Sequence, residues 1–76
     1  TSISYSIDNP SKVRLSIFSI SGQEIRVLVD RNESAGTHTV RWDGRDNRGH
    51  QVSSGLYLYR LQTNTKRLVR KMILSK

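Results

Sequence analysis

Along most of this chain apolar residues recur at every second position, and nowhere do they keep the three-or-four spacing that lets a helix bury one face. A strand sends successive side chains to opposite faces of a sheet, so a chain patterned this way has to fold by pairing strands. Ile3, Tyr5 and Ile7 alternate with serines; beyond the turn Asp8-Asn9-Pro10-Ser11, Val13, Leu15 and Ile17 alternate with Arg14 and Ser16. Ser21-Gly22 breaks the run ending at Ile20, and Ile25, Val27 and Val29 resume it as the second arm of a hairpin. Arg31 to Gly36 is polar and lacks alternation, after which Val40 and Trp42 start a fourth strand. Gln51-Val52 reads as a brief edge strand. Leu56 to Leu61 is the strongest strand, apolar at both parities. Arg67 to Lys76 returns as its hairpin partner through a Thr63-Asn64-Thr65 turn, where asparagine tolerates a left-handed backbone. About seven short strands, with turn signals roughly every 8–12 residues, predict an all-β, two-sheet antiparallel sandwich.

The chain has 76 residues, the size of a single domain spanning 1–76. A domain this small buries only about 60% of the surface its unfolded chain exposes, which argues against a deep enclosed active site and for binding, adhesion or scaffolding. With no cysteine there is neither a disulfide nor a thiolate metal site. No apolar run approaches the roughly 18 residues that span a bilayer. A start at Thr1 rather than Met is expected of an excised or processed piece. Lysine and arginine total 13 against 6 acidic residues, and the net charge of +7 favours anionic partners without naming one.

The chemically densest stretch is Arg41 to Tyr57, which contains the sole tryptophan. Gly44, Gly49 and Gly55 suit positive φ or close backbone approach, while Asp43, Asp46 and Asn47 suit Asx-type turns that accept backbone N–H groups. Trp42 is expected to cap the core with its indole N–H on a carbonyl. The spacing of Asp43, Asp46, Asn47 and Gly49 lacks the alternating ligands and closing glutamate of a calcium loop. Nothing in the spacing joins His38 and His50 to Asp43, and they read as solvated loop histidines. Ser53 and Ser54 sit in no nucleophile elbow, and Asp43 with Asp46 lacks an enclosing cleft, so the expectation is a nonenzyme without cofactor or metal. Tyr5, Tyr57 and Tyr59 among arginines suggest a stacking platform, yet Tyr57 and Tyr59 share a parity and are better read as packing on one sheet face. Nucleic-acid binding is disfavoured, since the charge supports it but no motif does. Arg14, Arg26, Arg41 and Arg60 are expected on solvated outer faces.

The run from Trp42-Asp43-Gly44 through Asp46-Asn47, Gly49 and Ser54-Gly55 to Leu61, followed by Arg70-Lys71-Met72-Ile73-Leu74-Ser75-Lys76, resembles a bacterial C-terminal immunoglobulin-like module. That module occurs in the flagellar hook-capping protein and in type A sorting domains of the type IX secretion system. Thr1 to Ile7, Val13 to Glu24, Val27-Leu28-Val29 and Ala35-Gly36-Thr37-His38 agree with it, so the resemblance covers essentially the whole chain. The asparagine-proline-rich lead-in is missing, and Thr63-Asn64-Thr65 replaces the usual glycine-rich turn.

The resemblance implies an immunoglobulin-like β-sandwich serving as a noncatalytic sorting and surface-attachment domain of a larger exported protein. In the sorting domains that the chain resembles, the basic last strand is part of the address read by the secretion machinery. Gly55, Tyr57, Lys71, Met72, Ile73, Leu74 and Lys76 are the recognition positions carried over. Implied partners are sorting-machinery proteins, with anionic lipopolysaccharide or polysaccharide as the attachment target. The implied location is extracellular or on the outer-membrane surface. Two alternatives stay open: a structural module of an extracellular or flagellar-type assembly that self-associates through its sheet edges, and a carbohydrate-binding accessory module.

Overall fold

The computed structural model describes residues 1–75. It contains six strands: β1 (Ser2–Ile7), β2 (Ser11–Ser19), β3 (Glu24–Glu33), β4 (Gly36–Arg41), β5 (Gly55–Gln62) and β6 (Arg67–Leu74). All pairings are antiparallel, in a two-stranded sheet β1-β4 and a four-stranded sheet ordered β3-β2-β5-β6.

The alternation in the sequence becomes the inner layer of this sandwich. Val13, Leu15 and Ile17 on central β2 are fully buried, and Ile3, Tyr5 and Ile7 cover them from β1. Val29, Tyr57, Leu61, Leu74 and Trp42 complete one contiguous core. At this size little apolar area is redundant, so each of these side chains contributes a sizeable share of stability.

Three expectations need correction. Gln51-Val52 is no strand: Gln51 makes a single isolated bridge to Arg45, and the Val52 N–H donates to the Gly44 carbonyl at 2.9 Å. Asp46 draws the intervening residues into a tight turn that leaves no room for a ladder, which gives six strands. Arg31 to Gly36 is not a break either, because β3 runs on to Glu33. Asp30 to Glu33 pair with β2 in regular register but carry no apolar residue to mark an inner face; the register shifts opposite Leu15/Ser16 and Ile17/Phe18 are bulges farther back in β3, at Leu28 and Ile25. Its polar end is held by cross-strand charge, with the Arg14 guanidinium 3.0 Å from Asp30. Finally, no residue other than glycine has positive φ among the described residues, so the β5–β6 turn does not use a left-handed asparagine. Instead the Thr63 hydroxyl accepts the N–H groups of Thr65 and Lys66, at 3.3 and 3.0 Å.

Candidate functional site: a fixed corner and an open edge strand

The corner between β4 and β5 is built from the inside outwards. Trp42 is 1% exposed, its ring meets Tyr57 edge-on at 5.3 Å, and its indole N–H donates to the Arg45 carbonyl at 2.9 Å. Around that anchor the carboxylates act on backbone. Asp43 Oδ1 accepts the Arg45 N–H at 3.1 Å, and Asp46 Oδ1 accepts those of Arg48 and His50 at 2.9 and 3.0 Å. The His50 bond foremost, with the Arg48 bond and nearby positive charge, holds the Asp46 carboxyl below its ordinary range against an opposing desolvation. Gly44 and Gly49 turn the chain with φ of 75° and 85°.

This corner also covers the start of an edge. β3 is the outermost strand on its side of the sheet. The Asn47 N–H donates to the Ile25 carbonyl and the Asn47 side-chain oxygen accepts the Val27 N–H, both at 3.0 Å. Asn47 therefore caps the neighbouring strand rather than its own turn. Arg26 reaches across to Asp43 at 3.3 Å and to the carbonyls of Arg45 and Asp46 at 3.2 and 3.4 Å, so it ties β3 to the corner instead of facing solvent freely. Asp43 and Asp46 thus each hold backbone N–H groups of the turn through Oδ1.

The residues assigned to recognition lie along the other end of the same sheet. Gly55 pairs with Leu74, Leu56 with Ile73, Tyr57 with Met72 and Leu58 with Lys71. Tyr57 and Leu74 are core, and the Tyr57 hydroxyl donates to the Ser53 carbonyl at 2.6 Å. Met72 is half-buried, whereas Lys71 and Ile73 are exposed. Lys76 lies outside the described residues. Tyr5 and Tyr57 are both buried, so the stacking platform is not assembled; Tyr59 is half-buried against the core. Arg14 pairs with Asp30 and Glu24, Arg60 lies 4.7 Å above the Phe18 ring, and Arg41 is exposed on the smaller sheet.

One cluster was not anticipated. Glu33 on β3, its side chain 7% exposed, accepts the Tyr5 hydroxyl and lies 3.4 Å from His38 Nδ1 and 3.5 Å from Arg31. His38 stacks on Tyr5 with ring centres 5.5 Å apart, and its Nε2 is 2.8 Å from the Ser34 carbonyl. It is a half-buried strand residue that helps join the two sheets, not a solvated loop histidine, because Tyr5 directly opposite on β1 holds its ring. Burial first, then the Glu33 hydrogen bond and charge, push the Tyr5 phenol well above its ordinary value.

A family model described as the FlgD Ig-like domain matches residues 1–67 and stops where β6 begins. Among solved structures, FlgD from P. aeruginosa is similar, with a TM-score of 0.76 and 22% identity over 96% of this chain. The chain spans 58% of that protein's length in the structure. No curated protein sequence matches.

Proposed function

The chain belongs to the FlgD Ig-like domain family, and from that premise we propose that it is a noncatalytic sorting and cell-surface attachment module of a larger exported bacterial protein, addressed through β6 to type IX-like secretion machinery. The observation that carries this reading is the last strand itself. β6 is hydrogen-bonded on one side only, by β5, and it exposes Arg67, Arg70 and Lys71. A strand whose side chains and outer backbone edge both face solvent can be read by another protein without unfolding the module. The corner suits the same role, because it fixes the entry to β5 and hence the position of β6. Lys71, Met72, Ile73 and Lys76 are the side chains proposed for direct recognition, with Tyr57 and Leu74 holding the strand in place from the core side and Gly55 pairing with Leu74, and anionic lipopolysaccharide is the proposed attachment target.

The test is a fusion of Thr1 to Lys76 behind a periplasm-directed reporter in a bacterium with type IX secretion, compared with the same fusion carrying Lys71→Ala and Lys76→Ala. The reading expects reporter in the medium or on the surface only with the intact lysines and intact machinery. Equal export of both fusions, or retention of a folded intact one, would refute it. The family match favours a second reading, a spacer within an extracellular assembly, which predicts that the folded module self-associates and that export ignores the lysines.

A further inference from the structure

Charge in this molecule is divided by position along the chain. All 6 acidic residues fall within residues 1–46, which also hold 6 of the 13 lysines and arginines and are therefore neutral overall. The remaining 7 basic residues, equal to the whole net charge, belong to residues 47–76. Within the neutral part the charges are mostly consumed: Arg14 with Asp30 and Glu24, Arg26 and Arg45 with Asp43, and Arg31 with Glu33. Arg67, Arg70 and Lys71 on β6 have no ion-pair partner among the described residues.

The same strand carries exposed apolar side chains. Val69 and Ile73 are 50% and 73% exposed, and Leu56, beside Ile73 on β5, is 43% exposed. These lie on the outer face of the four-stranded sheet, where Leu58 pairs with Lys71. Other surfaces of the sandwich are treated differently. The β3 edge is capped by Asn47, and the small sheet shows solvent a ladder of hydroxyls, Ser4 with Thr39 and Ser6 with Thr37, each at 3.0 Å. Natural sheets cover or blunt their edges, and among the described residues β6 joins an unpaired edge to exposed apolar surface and unspent charge.

We propose that β6 is a strand-docking edge for an extended segment of a partner protein whose side chains run apolar, apolar, acidic, acidic, apolar, apolar. This deepens the sorting reading and rests on it, by naming the chemistry of what reads the address. The pattern follows from Leu68-Val69-Arg70-Lys71-Met72-Ile73: a strand added alongside sets each of its residues against one on β6, carboxylates next to Arg70 and Lys71 and apolar groups on either side. The motif is the same in both directions, so parallel and antiparallel addition make like pairs. A second copy of this chain is the wrong occupant. Antiparallel pairing of β6 with itself, centred on Arg70 and Lys71, would set bases against bases.

The probe is a capped, fluorescently labelled peptide, Ser-Ser-Val-Val-Glu-Glu-Val-Val-Ser-Ser, titrated into the intact 76-residue chain. Controls are the same peptide with lysines for the glutamates, the same peptide with its two central valine neighbours of the glutamates replaced by prolines, and heparin as a generic polyanion. We expect saturable binding of the acidic peptide alone, with amide shifts and slowed exchange concentrated on Arg67–Leu74. Arg70→Glu with Lys71→Glu is expected to weaken it on the order of tenfold, from two cross-strand pairs reversed in sign, and Ile73→Lys to weaken it too, both with unchanged melting temperature. Absence of binding, equal binding of the proline peptide, competition by heparin without strand-like protection, or dimerisation of the free chain through β6 would each overturn the proposal. Because binding is read in vitro and sorting by export, peptide binding without export would sink the sorting reading alone, and export without binding would sink only the docking chemistry.

Discussion

Replacing Trp42 with alanine removes the largest fully buried side chain in the molecule. The ring's transfer energy and the cavity left behind cost about 3–5 kcal/mol. The Arg45 carbonyl also loses the indole N–H that it accepts at 2.9 Å and keeps only the Arg26 guanidinium at 3.2 Å, and a lost hydrogen bond adds about 0.5–1.5 kcal/mol. Tyr57 loses its edge-on neighbour as well. A domain of this length is stable by roughly 4–11 kcal/mol, at 0.05–0.15 kcal/mol per residue. The substitution should therefore consume most or all of the margin. Urea unfolding followed by far-ultraviolet circular dichroism measures it, since the fluorescent probe itself is removed. Trp42→Phe, which keeps a ring but drops the N–H, should fall between wild type and alanine. A loss below about 1 kcal/mol for Trp42→Ala would refute the assignment of the corner as the clamp on the core.

Asp46→Asn keeps an acceptor oxygen but not the charge. Since folding lowers the Asp46 carboxyl's pKa, the charge stabilises the fold at neutral pH, and that contribution is lost as pH falls through the lowered folded value. Urea midpoints of wild type and Asp46→Asn should then differ at pH 7 and converge once pH has fallen through the lowered folded value; a constant difference would contradict the argument. Tyr5 is the opposite case, a neutral group favoured by the fold, so its contribution is full below about pH 10 and lost as pH rises through the raised folded value. Titration of phenolate absorbance should show a late-ionising step that Tyr5→Phe abolishes. Gly55 has φ of 150° and an added Cβ would meet nothing within 4 Å, so Gly55→Ala should cost about 1–3 kcal/mol through backbone strain alone, measured by thermal melting. A neutral outcome there would mean that the β5 entry relaxes without loss.

How much of this was legible depended on the range of the interaction. Strands β1, β2 and β5 announce themselves because their inward residues alternate locally, and the corner does so because Asx turns and glycines act over two to four residues. The end of β3 was hidden because Asp30 to Glu33 hold no apolar residue and their charges mimic a loop, although they pair with β2 in regular register. Its stabilising partners, Lys12 and Arg14, lie on another strand. The Tyr5, Glu33 and His38 cluster has partners 28 residues apart at its hydrogen bond, and no local pattern encodes such a meeting. The division of charge at residue 46 was countable from the sequence, but its meaning required knowing that β6 closes the sheet and that β3 is capped.

The most direct test plots export against melting temperature for two sets of fusions, one altered in the corner (Trp42→Phe, Asp46→Asn) and one on β6 (Arg70→Glu, Lys71→Glu, Ile73→Lys). If the sandwich is a scaffold and β6 the address, the corner variants lose export only as far as they lose stability, while the β6 variants lose export at wild-type melting temperature. Both sets falling on one line of export against stability would contradict the account and reduce β6 to the strand that completes the fold.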